Sequence, residues 1–167
     1  SEKELRQISP VELKPCECDE RLVVDPFRNW EFPGDDITAY YSDAFPVDAD
    51  TKSPVQFIFR DGVLVGIGVD CGVTDLNGVV SVSKVLEKVY GDKRLLGSRA
   101  KMERVIGAIE TKEFAGTARM CFGGGQAILQ LSAEKSPTAQ VIFSNEDQSK
   151  WPDEAKTRRM LQLGGMD

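Results

Sequence analysis

One stretch of sequence decides the fold of this chain: Val55-Gln-Phe-Ile-Phe-Arg-Asp-Gly-Val-Leu-Val-Gly-Ile-Gly-Val69. Two runs of apolar residues, many of them β-branched or aromatic, flank the dipeptide Asp61-Gly62. A two-residue turn of type I′ needs a positive φ at both central positions, and Asp-Gly is among the dipeptides that adopt it most readily. The stretch therefore predicts a β-hairpin of two antiparallel strands.

Three further strand-like segments follow in the C-terminal half, at residues 116–122, 126–132 and 139–144. The triple glycine 123–125 and the segment 135–137 separate them as turns. Apolar and polar residues alternate along the middle segment, which is the pattern of a strand with one face in a core and one face in water. We therefore expect an antiparallel meander with one wet face.

Residues 81–90 have the periodicity of a short amphipathic helix. Ser81 is the expected N-cap, and Gly91 is a natural residue to follow the last turn. The apolar positions at i, i+3, i+4 and i+7 are Val82, Val85, Leu86 and Val89. We expect these four side chains to form the inward face of the helix.

Two other segments have part of the sequence pattern of a helix. In residues 98–114 we expect a helix at the start and a strand from about Val105, because Gly107 and the β-branched residues weaken a helix there. Residues 152–163 predict a terminal helix, with a proline in its first turn. Its side chains expected to dock on the rest of the chain are Met160, Leu161 and Leu163.

The first third of the chain differs in composition from the remainder. Residues 1–54 hold six of the eight prolines, and residues 1–50 carry a net charge of −8 within a total of −6. Prolines fix φ and remove donors, so we expect a loop-rich, acidic and aromatic arm over 1–54, packed on a single domain over 55–167. The predicted fold class is α+β, with a curved antiparallel sheet of five to six strands and one or two covering helices.

Composition excludes several kinds of chemistry. The chain of 167 residues contains no histidine, which removes Ser-His-Asp and Cys-His catalysis and histidine metal sites. Its negative net charge argues against nucleic acid, because phosphate neutralisation needs a concentrated basic face. No arrangement of residues indicates a cofactor, a bound metal or a set of catalytic groups, and no apolar run is long enough to span a membrane.

Four cysteines leave the redox state open: Cys16, Cys18, Cys71 and Cys121. Disulfides are one interpretation, and pairing Cys16 or Cys18 with Cys71 or Cys121 is easier to build than a bridge between Cys16 and Cys18. Unlinked thiols or a zinc site are the alternatives. Disulfides would indicate a periplasmic or secreted protein, whereas free thiols would indicate the cytoplasm.

The acidic, aromatic-rich arm holds the candidate binding surface. Aromatic side chains act as anchors in protein interfaces, and surface charge raises the rate of association. The residues that we expect to contact a partner are Trp30, Phe32, Asp35, Asp36, Tyr40 and Tyr41. The expected partner is another protein, with a basic surface, and the sequence does not indicate an oligomeric state.

These observations favour a non-enzymatic protein-binding module, such as an inhibitor, an immunity-type protein or an envelope accessory protein. One alternative is a small-ligand carrier that uses the concave sheet face, where Gly66 and Gly68 leave room. Another is an enzyme that uses carboxylate, lysine or cysteine chemistry.

Overall fold

The computed structural model describes residues 1–16, 32–34, 36–73, 75–134 and 137–164. Within these ranges the chain forms four helices: α1 (Glu2–Ile8), α2 (Leu76–Tyr90), α3 (Arg99–Thr111) and α4 (Trp151–Gly164). It also forms eight strands: β1 (Lys14–Pro15), β2 (Ile37–Pro46), β3 (Lys52–Arg60), β4 (Val63–Asp70), β5 (Lys93–Leu96), β6 (Gly116–Phe122), β7 (Ala127–Ala133) and β8 (Thr138–Phe143). A short 3₁₀ turn, Gln148–Lys150, leads into α4.

The eight strands of the described chain belong to one open antiparallel sheet, in the order β1-β2-β3-β4-β8-β7-β6-β5. The predicted α+β class with an antiparallel sheet is confirmed, but the expected five to six strands are too few. The two edge strands explain the difference, because β1 has two residues and ends in proline while β5 begins with Lys93 and Arg94. Short edge strands with proline or lysine resist pairing with other chains, and they lack the apolar alternation that predicts a strand.

Internal contacts divide the chain into two compact units. The first comprises Ser1–Gly68 with Ser149–Asp167, and the second comprises Val69–Gln148. Part of the predicted arm is regular structure, since β2 runs for ten residues and pairs with β3. The predicted division into an arm over 1–54 and a domain over 55–167 stays a prediction.

The β3–β4 hairpin has the turn that its sequence predicts. Asp61 and Gly62 have φ values of 51° and 75°, as a type I′ turn requires. The backbone N–H of Asp61 donates to the carbonyl of Asp36 at 3.0 Å, which ties the turn to the residue before β2. Strand β2 pairs antiparallel with β3, with Tyr40 opposite Phe57.

The second unit has its own apolar core between the sheet and two helices. Helices α2 and α3 both contact β6 and β7. The buried residues of this core include Val79, Leu86, Met102, Val105, Ile109, Met120, Leu129, Leu131 and Val141. Burial of these side chains is the main favourable term in the stability of the unit.

Helix α2 turns a different face inward from the one predicted. It begins at Leu76, five residues before the expected Ser81, because the side chain of Asp75 caps it by accepting from the N–H of Gly78 at 2.8 Å. The buried positions are Val79, Ser83 and Leu86. Of the four side chains expected inside, Leu86 is buried and Val82 is partly buried, but Val85 and Val89 are 60% and 66% exposed.

Helix α3 is continuous over the segment where a strand was expected from Val105. Its buried residues are Met102, Val105, Ala108 and Ile109, which recur at helical spacing. Gly107 lies on the exposed side, where packing requires no side chain. The strand prediction was wrong because apolar burial on one face outweighs the low helix propensity of a single glycine.

The meander β6–β7–β8 forms as predicted, but β7 does not have a wet face. Ile128 and Gln130 are as fully buried as Ala127, Leu129 and Leu131, with which they alternate. The polar side chains satisfy one another, because Arg119 Nε donates to Gln130 Oε1 at 2.7 Å and Gln130 Nε2 contacts Gln140 Oε1 at 3.4 Å. Buried polar groups are usually paired in this way, so alternation of polar and apolar residues does not by itself indicate water.

Helix α4 occupies the predicted terminal segment but is anchored at its other end. Trp151 and Ala155, one turn apart, are its buried residues. The residues expected to dock, Met160, Leu161 and Leu163, are all largely exposed, so that prediction was wrong. Among the helices of the described residues, none is long and apolar enough to cross a bilayer.

The exposed and buried neighbours on α2 give a direct test of this packing. Leu86→Ala should lower the free energy of unfolding by about 2–4 kcal/mol, because it opens a cavity in the core. Val85→Ala should change it by less than about 0.5 kcal/mol, because the side chain is mostly in water. Urea denaturation of both variants measures the difference. Equal losses, or a larger loss for Val85→Ala, would show that the predicted face and not the observed one is buried.

Candidate functional site

A ring contact in the first unit positions the candidate site. The rings of Phe32 and Trp151 have centroids 5.0 Å apart, and both side chains are almost fully buried. Pro33 and Gly34 directly follow Phe32, and α4 begins at Trp151. The contact therefore holds the Pro33–Gly34 segment close to the first turns of α4.

Gly34 fits tightly against the end of β3. It has a φ of 143°, and a Cβ built at this position would lie 2.8 Å from Ile37 Cδ1 and 2.9 Å from Arg60 Cδ. Arg60 Nη1 in turn donates to the carbonyl of Pro33 at 3.4 Å. Only glycine leaves room for the Arg60 side chain to lie along this backbone.

These segments enclose a cleft of about 570 Å³, here called the α4 cleft. Its lining residues are Pro33, Gly34, Arg60, Asp61, Asp153, Glu154, Thr157, Arg158 and Leu161. They come from the segment after Phe32, the hairpin turn and one face of α4. All of them belong to the first unit.

Charge is the main chemical property of the α4 cleft. Asp61, Asp153 and Glu154 are exposed, and no ion pair joins any of them to a cation within the described part of the chain. Asp153 and Glu154 lie in the first turn of α4, where the helix dipole stabilises negative charge. Arg60 and Arg158 line the same cleft, and Leu161 adds an exposed apolar side chain.

The structure describes four of the six predicted contact residues, and their surroundings differ. Phe32 is buried against Trp151, and Asp36 is exposed beside the hairpin turn. Tyr40 and Tyr41 are half-buried on β2. Trp30 and Asp35 lie outside the described residues.

Tyr40 and Tyr41 each interact with charged side chains from the first fifteen residues. The guanidinium of Arg6 lies 5.4 Å from the ring centroid of Tyr40, and Lys14 Nζ lies 5.9 Å from that of Tyr41. The hydroxyl of Tyr40 donates to Glu2 Oε2 at 3.1 Å. Burial, followed by this hydrogen bond, raises the pKa of the Tyr40 phenol.

The cysteines do not form a linked framework in the described part of the chain. No disulfide joins any two of Cys16, Cys71 and Cys121, and Cys18 lies outside the described residues. Burial, with a smaller effect of the Asp70 charge, raises the pKa of the Cys71 thiol to about 11. A raised thiol pKa is the reverse of what a nucleophilic cysteine requires.

Cys121 lies beside a polar cluster of the second unit. A hydrogen bond to Cys121 raises the pKa of Arg94, and Arg94 Nη2 lies 3.6 Å from Asp147 Oδ1. The strand register places Arg94 directly opposite Cys121. The described residues contain no group of three cysteine, aspartate or glutamate side chains that could hold a metal ion.

Sequence reasoning missed most of the α4 cleft. It used Asp61 only as a turn residue and gave no role to Arg60, Asp153, Glu154 or Arg158. The available signal was the Asp153–Glu154 pair directly after Pro152, at the start of a predicted helix. Nothing in the local sequence shows that this pair lies near the hairpin turn, because residues 61 and 153 are far apart along the chain.

The Cys71 thiol should make the protein less stable in alkali. The folded thiol stays protonated up to a pH of about 11, whereas the unfolded thiol ionises near pH 9, so its contribution is complete below pH 9 and is lost as the pH rises to 11. Between pH 8 and about pH 10.5 the wild type should lose about 2 kcal/mol more unfolding free energy than Cys71→Ala. Urea denaturation of both proteins at the two pH values measures this, and equal losses would contradict it.

Comparison with known proteins does not supply a relative: no family model, no curated protein and no solved structure matches this chain.

Proposed function

We propose that this protein is a non-enzymatic protein-binding module, and that a basic segment of its partner docks in the α4 cleft. The observation that carries the proposal is the set of three exposed carboxylates, Asp61, Asp153 and Glu154, around a cleft of about 570 Å³. Clefts of roughly 300–1,000 Å³ are large enough to bury much of a small ligand. The α4 cleft therefore has room for one or two long side chains of a partner.

Electrostatics support a partner with positive charge. The three carboxylates lie on a chain with a net charge of −6, and residues 1–50 alone carry −8. Net negative charge on the chain raises the rate at which a basic partner associates, and this effect falls as salt screens it.

The arginines of the cleft limit which basic segments fit. Arg60 and Arg158 would repel a continuous run of lysine or arginine, since like charges close together cost free energy. Leu161 offers an apolar contact at the same place. We therefore expect a segment in which separated basic side chains flank an apolar one.

The buried ring pair joins two of the segments that line the cleft. Phe32 directly precedes Pro33, and Trp151 is the first residue of α4, so their contact holds the carboxylates of α4 near Pro33 and Gly34 before a partner arrives. Binding to a preformed surface avoids the entropic cost of ordering it. This supports a role for Phe32 as a residue that positions the contact surface.

Neutralising the three carboxylates should weaken binding of a suitable probe. The probe is a capped hexapeptide that contains two separated arginines and one leucine, and binding is measured by fluorescence anisotropy at low salt. Asp61→Asn, Asp153→Asn and Glu154→Gln together should raise its Kd by about tenfold, because each surface charge pair contributes up to about 1 kcal/mol. Asn at position 61 also tolerates the positive φ of the turn.

A matched variant controls for net charge. Asp92→Asn, Glu110→Gln and Glu113→Gln remove three exposed carboxylates that do not line the cleft, and they should change the Kd by less than about twofold because they form no charge pair with the bound peptide. The same peptide with glutamate in place of arginine should not bind. If both triple variants weaken binding equally, or if neither does, the α4 cleft is not the docking site.

A further inference from the structure

Helix α1 lies against β2 although none of its seven residues is buried. A helix of this length is not stable alone in water, because too few hydrogen bonds follow the costly first turn. Ser1 and Glu4 form a capping box that closes its first turn. The capping box alone does not keep a seven-residue helix folded, so both the helix and its position depend on the contacts that it makes with the strand.

Two charged side chains on one face of α1, Glu2 and Arg6, interact with the strand. Glu2 accepts hydrogen bonds from the hydroxyls of Thr38 and Tyr40, the second at 3.1 Å. Arg6, four residues later, lies over the Tyr40 ring with its guanidinium carbon 5.4 Å from the centroid. Residues four apart lie on the same side of a helix, so Glu2 and Arg6 contact the strand together.

The contact between α1 and β2 leaves open space beside it. An open surface groove of about 460 Å³ lies beside the contact, lined by Glu2, Lys3, Arg6, Gln7 and Tyr40. The chain after α1 is anchored separately, since Leu13 is buried and β1 pairs with β2 at Lys14 and Pro15. The helix can leave the strand without disturbing these contacts.

We propose that α1 is a releasable cover, and that Thr38 and Tyr40 beneath it form a second binding site for a partner segment carrying a carboxylate and a guanidinium one helical turn apart. In this proposal Glu2 and Arg6 occupy the site as a built-in ligand until the partner displaces them. The Thr38–Tyr40 site is separate from the α4 cleft, so it stands whether or not that cleft binds a basic segment.

The chemistry of Tyr40 fits this role. Its hydroxyl donates to a carboxylate while its ring face attracts a cation, so one side chain recognises both charges of the segment. A tyrosine phenol is protonated at neutral pH, so this donor is present there. A segment with only one of the two charges would make half of the contacts.

The test is an NMR titration of the full chain with a synthetic peptide of residues 1–11, read out at the amides of Thr38 and Tyr40. It compares the wild type with the double variant Glu2→Gln, Arg6→Gln, whose cover should be loosened. The peptide should shift both amides in the double variant at a concentration lower by about fivefold or more than in the wild type, because apparent affinity scales with the uncovered fraction. Unchanged amides in β3 and β7 confirm that the variant is folded.

A second double variant, Glu12→Gln with Lys52→Gln, removes the same two charges from exposed positions outside α1 and should behave as the wild type. A peptide that itself carries the Glu2→Gln and Arg6→Gln changes should produce no shift. The proposal is overturned if the native peptide shifts Thr38 and Tyr40 equally in wild type and loosened variant. It is also overturned if the peptide shifts them in neither protein.

Discussion

The contact between Phe32 and Trp151 is the interaction on which the candidate site depends. The two rings are almost fully buried, and an aromatic pair contributes about 0.5–1.5 kcal/mol beyond the area that it buries. Through it, Pro33 and Gly34 are held beside the start of α4. Without it, Asp153 and Glu154 would lose their fixed position relative to the hairpin turn at Asp61.

The hairpin and the α+β class could be predicted from sequence because their signals are local. Asp61-Gly62 needs no distant contact to form its turn, and its φ values of 51° and 75° are those that the dipeptide favours. The inward face of α2 could not be predicted in the same way. Val85 and Leu86 are both apolar, and only contacts with β6, β7 and α3 decide that Leu86 is buried and Val85 exposed. The prediction of a wet face on β7 was wrong for the same reason, since Arg119 and Gln140, the partners of Gln130, lie on neighbouring strands.

The candidate site could likewise be predicted only in part, because it depends on contacts between segments far apart along the chain. Sequence composition pointed to the region of Phe32 and Asp36, and the α4 cleft begins one residue after Phe32. The remaining lining residues come from the hairpin turn and from α4, which are far apart along the chain. Periodicity and composition describe one segment at a time, so they cannot show that three segments meet around one cleft. The cover formed by α1 was missed because its contacts are between polar side chains, which leave no apolar pattern.

The most direct measurement of the central claim is hydrogen exchange with mass spectrometry, on the protein alone and with the arginine-containing hexapeptide. The account predicts slower exchange in three places when the peptide is bound: around Pro33 and Gly34, across the turn at Asp61 and Gly62, and in α4. Exchange in α2 and α3 should stay unchanged. Protection that appears mainly in α2 and α3, or that spreads evenly over the chain, would contradict the claim that the α4 cleft is where a partner binds.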